Sequence, residues 1–189
     1  MTDPAFIGFA TLLGATGLMR LVEVVVSMRR MARRAGAVVA EPWLFPAMAG
    51  LHLALVVLPI AEVLVAGRPF RWSVGGVALG VLAGATLLRV WTLATIGGAW
   101  NVRVVRPEEC AVATTGPYRF IRHPNYLVVV LELAALPLVH SAWVSAIVLM
   151  MWNGAVLWVR IRTEEAELMR VPAWRRAFAD RARLLPGVF

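Results

Sequence analysis

The sequence predicts an all-α fold, a polytopic membrane bundle of about five spanning helices joined by one long polar loop and closed by a C-terminal helix. Three observations lead there. Hydrophobic residues make up 60% of the 189 positions and mean hydropathy is +0.75, more apolar side chain than a soluble domain of this size can hide. The apolar residues fall into runs of roughly 20 or more, the length a spanning helix needs. Finally, the charges gather between the runs instead of alternating with them, as membrane segments require.

The runs justify the elements in order. Residues 5–27 form the first apolar run, closed by Arg29, Arg30, Arg33 and Arg34. No basic segment precedes it and it runs on into arginines, which reads as a retained span and not as a cleaved leader. Residues 44–66 form the second, closed by Gly67-Arg68-Pro69, and residues 72–96 the third, closed by Gly97-Gly98. Residues 97–125 are too polar to span and hold Pro107 and Pro117; so long a loop is a usual seat of function. Residues 126–161 are apolar again, with a break near Pro137 and His140-Ser141, and predict a helical hairpin with a short first limb. The tail 162–189 predicts a charged helix ending at Pro186-Gly187. Residues 1–96 read as a scaffold and 97–189 as the working half.

Net charge is +8, and every basic residue is arginine. These arginines lie at the ends of apolar runs and not along one groove-sized face, so they read as membrane anchors and headgroup contacts, with no nucleic-acid partner. The 28–41 loop, the 97–125 loop and the tail are arginine-rich, whereas the turn near Ser141 has none. The positive-inside rule then puts the N-terminus outside and the long loop and C-terminus in the cytoplasm. The single cysteine, Cys110, excludes an internal disulfide and a cysteine-based metal cage. His52, His123 and His140 are scattered, with no metal-ligand spacing.

Polar residues inside the runs mark pairs or cavities. Arg20 and Glu23 lie three apart on one helix face and can pair, either to fix helix packing or to shape a lipid pocket. Arg89 lies deeper, with no local partner, and calls for a carboxylate on another helix. Glu62 reads as interfacial, and His52 as a hydrogen-bonded structural residue. Glu132 follows the basic segment by about two helical turns. Asn153, Arg160, Glu164 and Glu167 fall at steps of seven, four and three, one stripe of a helix that should face a cavity or a partner.

Two clusters carry a family resemblance. Gly116-Pro117-Tyr118-Arg119 and Arg122-His123-Pro124-Asn125-Tyr126 are followed, after the apolar hairpin, by Arg160-Ile161-Arg162-Thr163-Glu164-Glu165-Ala166-Glu167-Leu168. In order and spacing they resemble the isoprenylcysteine carboxyl methyltransferase family of integral membrane methyltransferases. Arg20-Leu21-Val22-Glu23 with Arg29, Arg30 and Gly36 also resembles bacterial members whose genes can accompany polyketide synthases. The tail departs from the best-known members, which carry Phe-Gly and two tyrosines where this chain has Trp174 and Phe178. Leu127 to Val130 stand where many members have a small residue.

The resemblance implies S-adenosylmethionine as methyl donor, reached from the cytoplasm, and a lipophilic acceptor reached sideways between helices. It implies cofactor contacts from His123 and Tyr126, a loop shaped by Pro117, Tyr118 and Pro124, carboxylates from Glu164 and Glu165, and a guanidinium from Arg122. Arg160 would orient an acceptor carboxylate; for an enol or phenol, Glu164 or His123 would take the proton. Asn153 would support the stripe by hydrogen bonding. The expected acceptor is an isoprenylcysteine-type carboxylate or an alkylpyrone or alkylresorcinol-type polyketide lipid. The alternatives are phospholipid N-methylation and the NADPH chemistry of the similar membrane sterol reductases.

Overall fold

The structure, a computed structural model, describes residues 3–32, 44–97 and 112–185. Cys110, Arg33, Arg34, Gly36, Pro107 and Pro186-Gly187 lie outside these residues. Helices α1 (Pro4–Ala32), α2 (Leu44–Ala66) and α3 (Trp72–Ile96) are followed by a 3-10 turn (Gly116–Arg119) and by α4 (Pro124–Leu138), α5 (Trp143–Leu168) and α6 (Pro172–Phe178). Four are long and apolar enough to cross a membrane, namely α1, α2, α3 and α5, and α4 is the short apolar limb. The chain is an integral, multi-pass membrane protein.

Sequence chemistry sets the helix ends. Gly97 closes α3 in the left-handed region at φ 56°, its N–H returning to the carbonyl of Leu93. Pro124 opens α4 at its first helical position, where a missing N–H costs nothing. Ala142 has no side chain to cap α5, and Glu62 of α2 supplies the cap instead. Its carboxylate accepts from the Ser145 N–H and hydroxyl, each at 2.7 Å, from the Val144 N–H at 3.2 Å and from Arg68 Nε at 2.9 Å. The expected interfacial carboxylate is thus the clasp between two helices at the arginine-poor end.

Within the bundle α4 packs on α3 and α5, α5 on α2, and α2 on α1. The apolar core of Phe9, Leu13, Leu51, Leu133, Leu136 and Leu149 is held by close packing, because lipid is as apolar as these side chains. Charges close the ring of helices. Arg20 of α1 donates to Glu23 at 2.7 Å and to Glu132 of α4. Arg89 of α3 donates to Glu23, its Nε at 2.9 Å, and lies 3.5 Å from Asn125 Oδ1. The partner that Arg89 calls for is therefore Glu23, and Arg20 has a second carboxylate across the bundle. His52 Nδ1 lies 2.8 Å from the carbonyl of Met48, a structural hydrogen bond.

Two boundaries differ from expectation. Helix α1 runs on to Ala32, since arginines near a membrane surface do not interrupt a helix. Among its described residues the tail continues α5 to Leu168 and then forms a short separate helix, Pro172–Phe178. The cluster Arg160 to Leu168 belongs to α5, and the chain after α6 pairs with the loop, Ala182 forming a parallel bridge with Ile121.

Candidate functional site

The site lies at the arginine-rich end, where α4 begins and α5 ends. Gly116 starts the loop at φ 55°, and an added Cβ would collide with Thr95 Oγ1 and come within 3.0 Å of Trp91 Nε1. Only glycine suits both demands. The loop is thus pressed onto α3, with Pro117 buried beneath it. It then enters α4 through His123, Pro124, Asn125 and Tyr126, of which His123 and Tyr126 meet α5 and Asn125 faces Arg89 of α3.

Adjacent carboxylates on α5 serve different partners because neighbouring helical residues point about 100° apart. Glu165 is buried and faces the loop. It lies 3.1 Å from His123 Nε2, 3.1 Å from Arg122 Nη1, and 3.0 Å from Arg183 Nη2. Arg122 also donates to the carbonyls of Arg181 at 2.7 Å and Ala179 at 2.8 Å, so its whole fork is held by the protein. The backbone joins in, with Arg122 N–H to the Ala182 carbonyl at 2.9 Å and His123 N–H to the Arg183 carbonyl at 3.0 Å. Residues 179–185 therefore strap the loop to the end of α5.

Glu164 faces Tyr126. The Tyr126 hydroxyl donates to Glu164 Oε2 and accepts from Arg160 Nε at 2.6 Å. Arg160 lies over the Tyr126 ring at 5.2 Å and reaches Met48 Sδ of α2. The His123 ring stacks on Tyr126 at 5.1 Å. A charge-assisted chain, Arg160–Tyr126–Glu164, so runs through one phenol. Of the stripe read from the sequence, Arg160 is buried and Glu164 part-buried at this chain, Asn153 is buried farther along α5, and Glu167 pairs with Arg170 at 3.0 Å. Beside Tyr126 lies a cavity of about 200 Å³, walled mainly by apolar side chains of α4 and α5 and reached by Asn153, with Arg162 and Arg183 also on its lining.

Residues 77–170 match the isoprenylcysteine carboxyl methyltransferase (ICMT) family. An uncharacterized protein of Bacillus subtilis (strain 168), YpbQ, is 30% identical over 152 residues, covering 79% of this chain and 89% of its own. The chain belongs to the ICMT family. The family match starts in α3 and takes in the loop, α4 and α5, which hold every site residue from Pro117 to Glu165. ICMT proteins are membrane methyltransferases, so the chain is an enzyme of that class. Where well-known ICMT tails carry tyrosines, Trp174 and Phe178 stack at 4.9 Å in the interior, and Arg122 lies 6.0 Å from the Trp174 ring.

Sequence reasoning missed Met48 and Arg183. Nothing in an apolar helix marks Met48 as the neighbour of an arginine more than a hundred residues away. Arg183 was visible only as one tail arginine among several.

Tyr118 lies outside the spanning helices. Burial pushes its phenol well above the usual tyrosine range, and the Glu164 carboxylate adds to the shift. The folded chain holds this proton more tightly than the unfolded chain does. The associated stability is complete below about pH 10 and is lost as pH rises beyond that value. The chain has two tyrosines, so Tyr126→Phe leaves Tyr118 alone. In that variant the phenolate absorption band is expected to stay absent until well above pH 10 and to return to ordinary titration in denaturant.

Proposed function

We propose that this chain is an S-adenosylmethionine-dependent O-methyltransferase that acts at the cytoplasmic face of a bacterial inner membrane on a lipophilic acceptor. Its N-terminus would lie outside and its C-terminus in the cytoplasm, as the arginine distribution favours. Residues 1–96 would act as scaffold and 97–189 as the catalytic half. The observation that carries the proposal is the meeting of Arg160, Tyr126 and Glu164 beside an apolar cavity, with the Glu165 cluster on the loop side.

The donor set suits this cofactor. Carboxylates match its amino group, ribose hydroxyls and positive sulfur, and the phenol and imidazole rings offer faces for its base. Glu164, His123 and Tyr126 would hold it, in a loop shaped by Pro117, Tyr118 and Pro124. Glu165 would contribute through the orientation it gives His123. Arg122, with its whole fork engaged by Glu165 and by two carbonyls, takes the role of fixing Glu165 and not that of a ligand contact.

When bound, the cofactor supplies a methyl group on positive sulfur, whose C–S electron pair stays on sulfur as the acceptor oxygen forms the new O–C bond. The protein has to align the acceptor oxygen with that methyl and keep it there. Arg160 would orient an acceptor carboxylate, which is already ionised and needs no base. For an enol or phenol, Glu164 would take the released proton. An isoprenylcysteine-type carboxylate and an alkylpyrone or alkylresorcinol-type polyketide lipid both fit these roles.

Calorimetry on the detergent-purified chain tests the reading. Saturable S-adenosylmethionine binding is expected, and Glu165→Ala is expected to weaken it about tenfold or more, because His123 and Arg183 lose their shared anchor. A folded wild type that ignores S-adenosylmethionine and binds NADPH would overturn the proposal.

A further inference from the structure

The cavity beside Tyr126 has a property that a simple hydrocarbon slot lacks. Leu157 and Ile161 line it and also pack on Tyr126, so one layer of apolar side chains lies between it and the Tyr126 cluster. Val130, Met150, Trp158 and Leu184 complete an apolar wall. Asn153 lines the same space. Its side chain is buried, at 2% exposure, and its Nδ2 has no hydrogen-bond partner. An amide donor left unpaired in a spanning helix is costly. A water would need two to four polar partners to satisfy it, and the walls of this cavity are mainly apolar.

We infer that Asn153 determines acceptor specificity, donating its side-chain N–H to a second oxygen carried within the acceptor's chain. The inference rests on the methyltransferase reading and narrows it: among lipophilic acceptors it selects those with an oxygen within the long chain over a plain prenyl or unsubstituted alkyl tail. Seven residues separate Asn153 from Arg160 on α5, about 10 Å along the helix, and this sets the distance from the reacting end to the second oxygen. Access comes sideways. Gly154 and Trp158 are exposed on the outer face of α5, and a Cβ on Gly154 would meet nothing within 4 Å.

The test uses the full chain in lipid nanodiscs, with hexadecanoic acid and its mid-chain keto analogue as probes, the keto group about 10 Å from the carboxylate. Wild type is expected to bind the keto acid about tenfold more tightly, and Asn153→Leu to bring the ratio of the two affinities to about one. Gly154→Leu, which has room for its side chain, is expected to weaken both acids by obstructing the lateral opening. Equal affinities in wild type, or an unchanged ratio in Asn153→Leu, would overturn the inference whatever the variant's stability. Methyl transfer is read separately on the same samples. A keto preference without any transfer from S-adenosylmethionine overturns the methyltransferase reading alone; transfer without a preference overturns the Asn153 inference alone.

Discussion

Arg160→Ala is expected to abolish methyl transfer, with a loss of at least about a thousandfold in kcat/KM, while the protein still inserts and purifies as a single species. Its guanidinium joins three functions: it donates to Tyr126, lies over that ring and borders Met48 of α2. Removing it frees the Tyr126 hydroxyl from its donor and deprives an acceptor carboxylate of the one positive group on the Tyr126 side of the cluster described here. Arg160→Lys separates charge from geometry. A lysine keeps the charge but cannot present a planar fork, so it should recover only a small part of the activity. Turnover at the wild-type rate in both variants, measured by transfer of labelled methyl into a lipid extract, would remove Arg160 from the mechanism.

Glu23→Ala should produce the largest loss of stability. Glu23 accepts from both Arg20 and Arg89, and its loss leaves Arg89 with Asn125 at 3.5 Å. Breaking a buried ion pair on one side costs about 3–5 kcal/mol, because the surviving charge keeps its desolvation penalty. The double change Glu23→Leu with Arg89→Leu removes both charges and should recover most of that loss. The thermal midpoint in detergent, followed by intrinsic fluorescence, reads the difference. A double variant as unstable as the single one would show that the pair is not what holds α1 to α3.

The helices were legible because lipid imposes length and charge rules that act on each segment separately. Pairing across the bundle was not. Arg20 and Glu23 could be read as partners from their three-residue spacing, but Glu132 lies 112 residues from Arg20 and Glu23 lies 66 from Arg89. The sequence showed that Arg89 needed a carboxylate without saying which. The same holds at the site. The two polar clusters could be read as chemistry, but not the division of work between Glu164 and Glu165, which depends on which side of α5 meets α4. Residues 179–185 gave least warning, since an irregular segment of turns and bends held by backbone hydrogen bonds to a loop leaves no periodic pattern in its side chains.

That irregular segment also orders events during synthesis. Arg181 is joined to Arg122 across 59 residues, so the loop is fastened only after α5 and α6 have left the ribosome. At elongation rates of about 5–20 residues per second, the nascent bundle spends several seconds in the membrane as a set of helices without a finished catalytic centre. If the proposed site is the catalytic one, activity is expected only once residue 181 has emerged, and a chain ending between α5 and residue 181 is expected to insert without it.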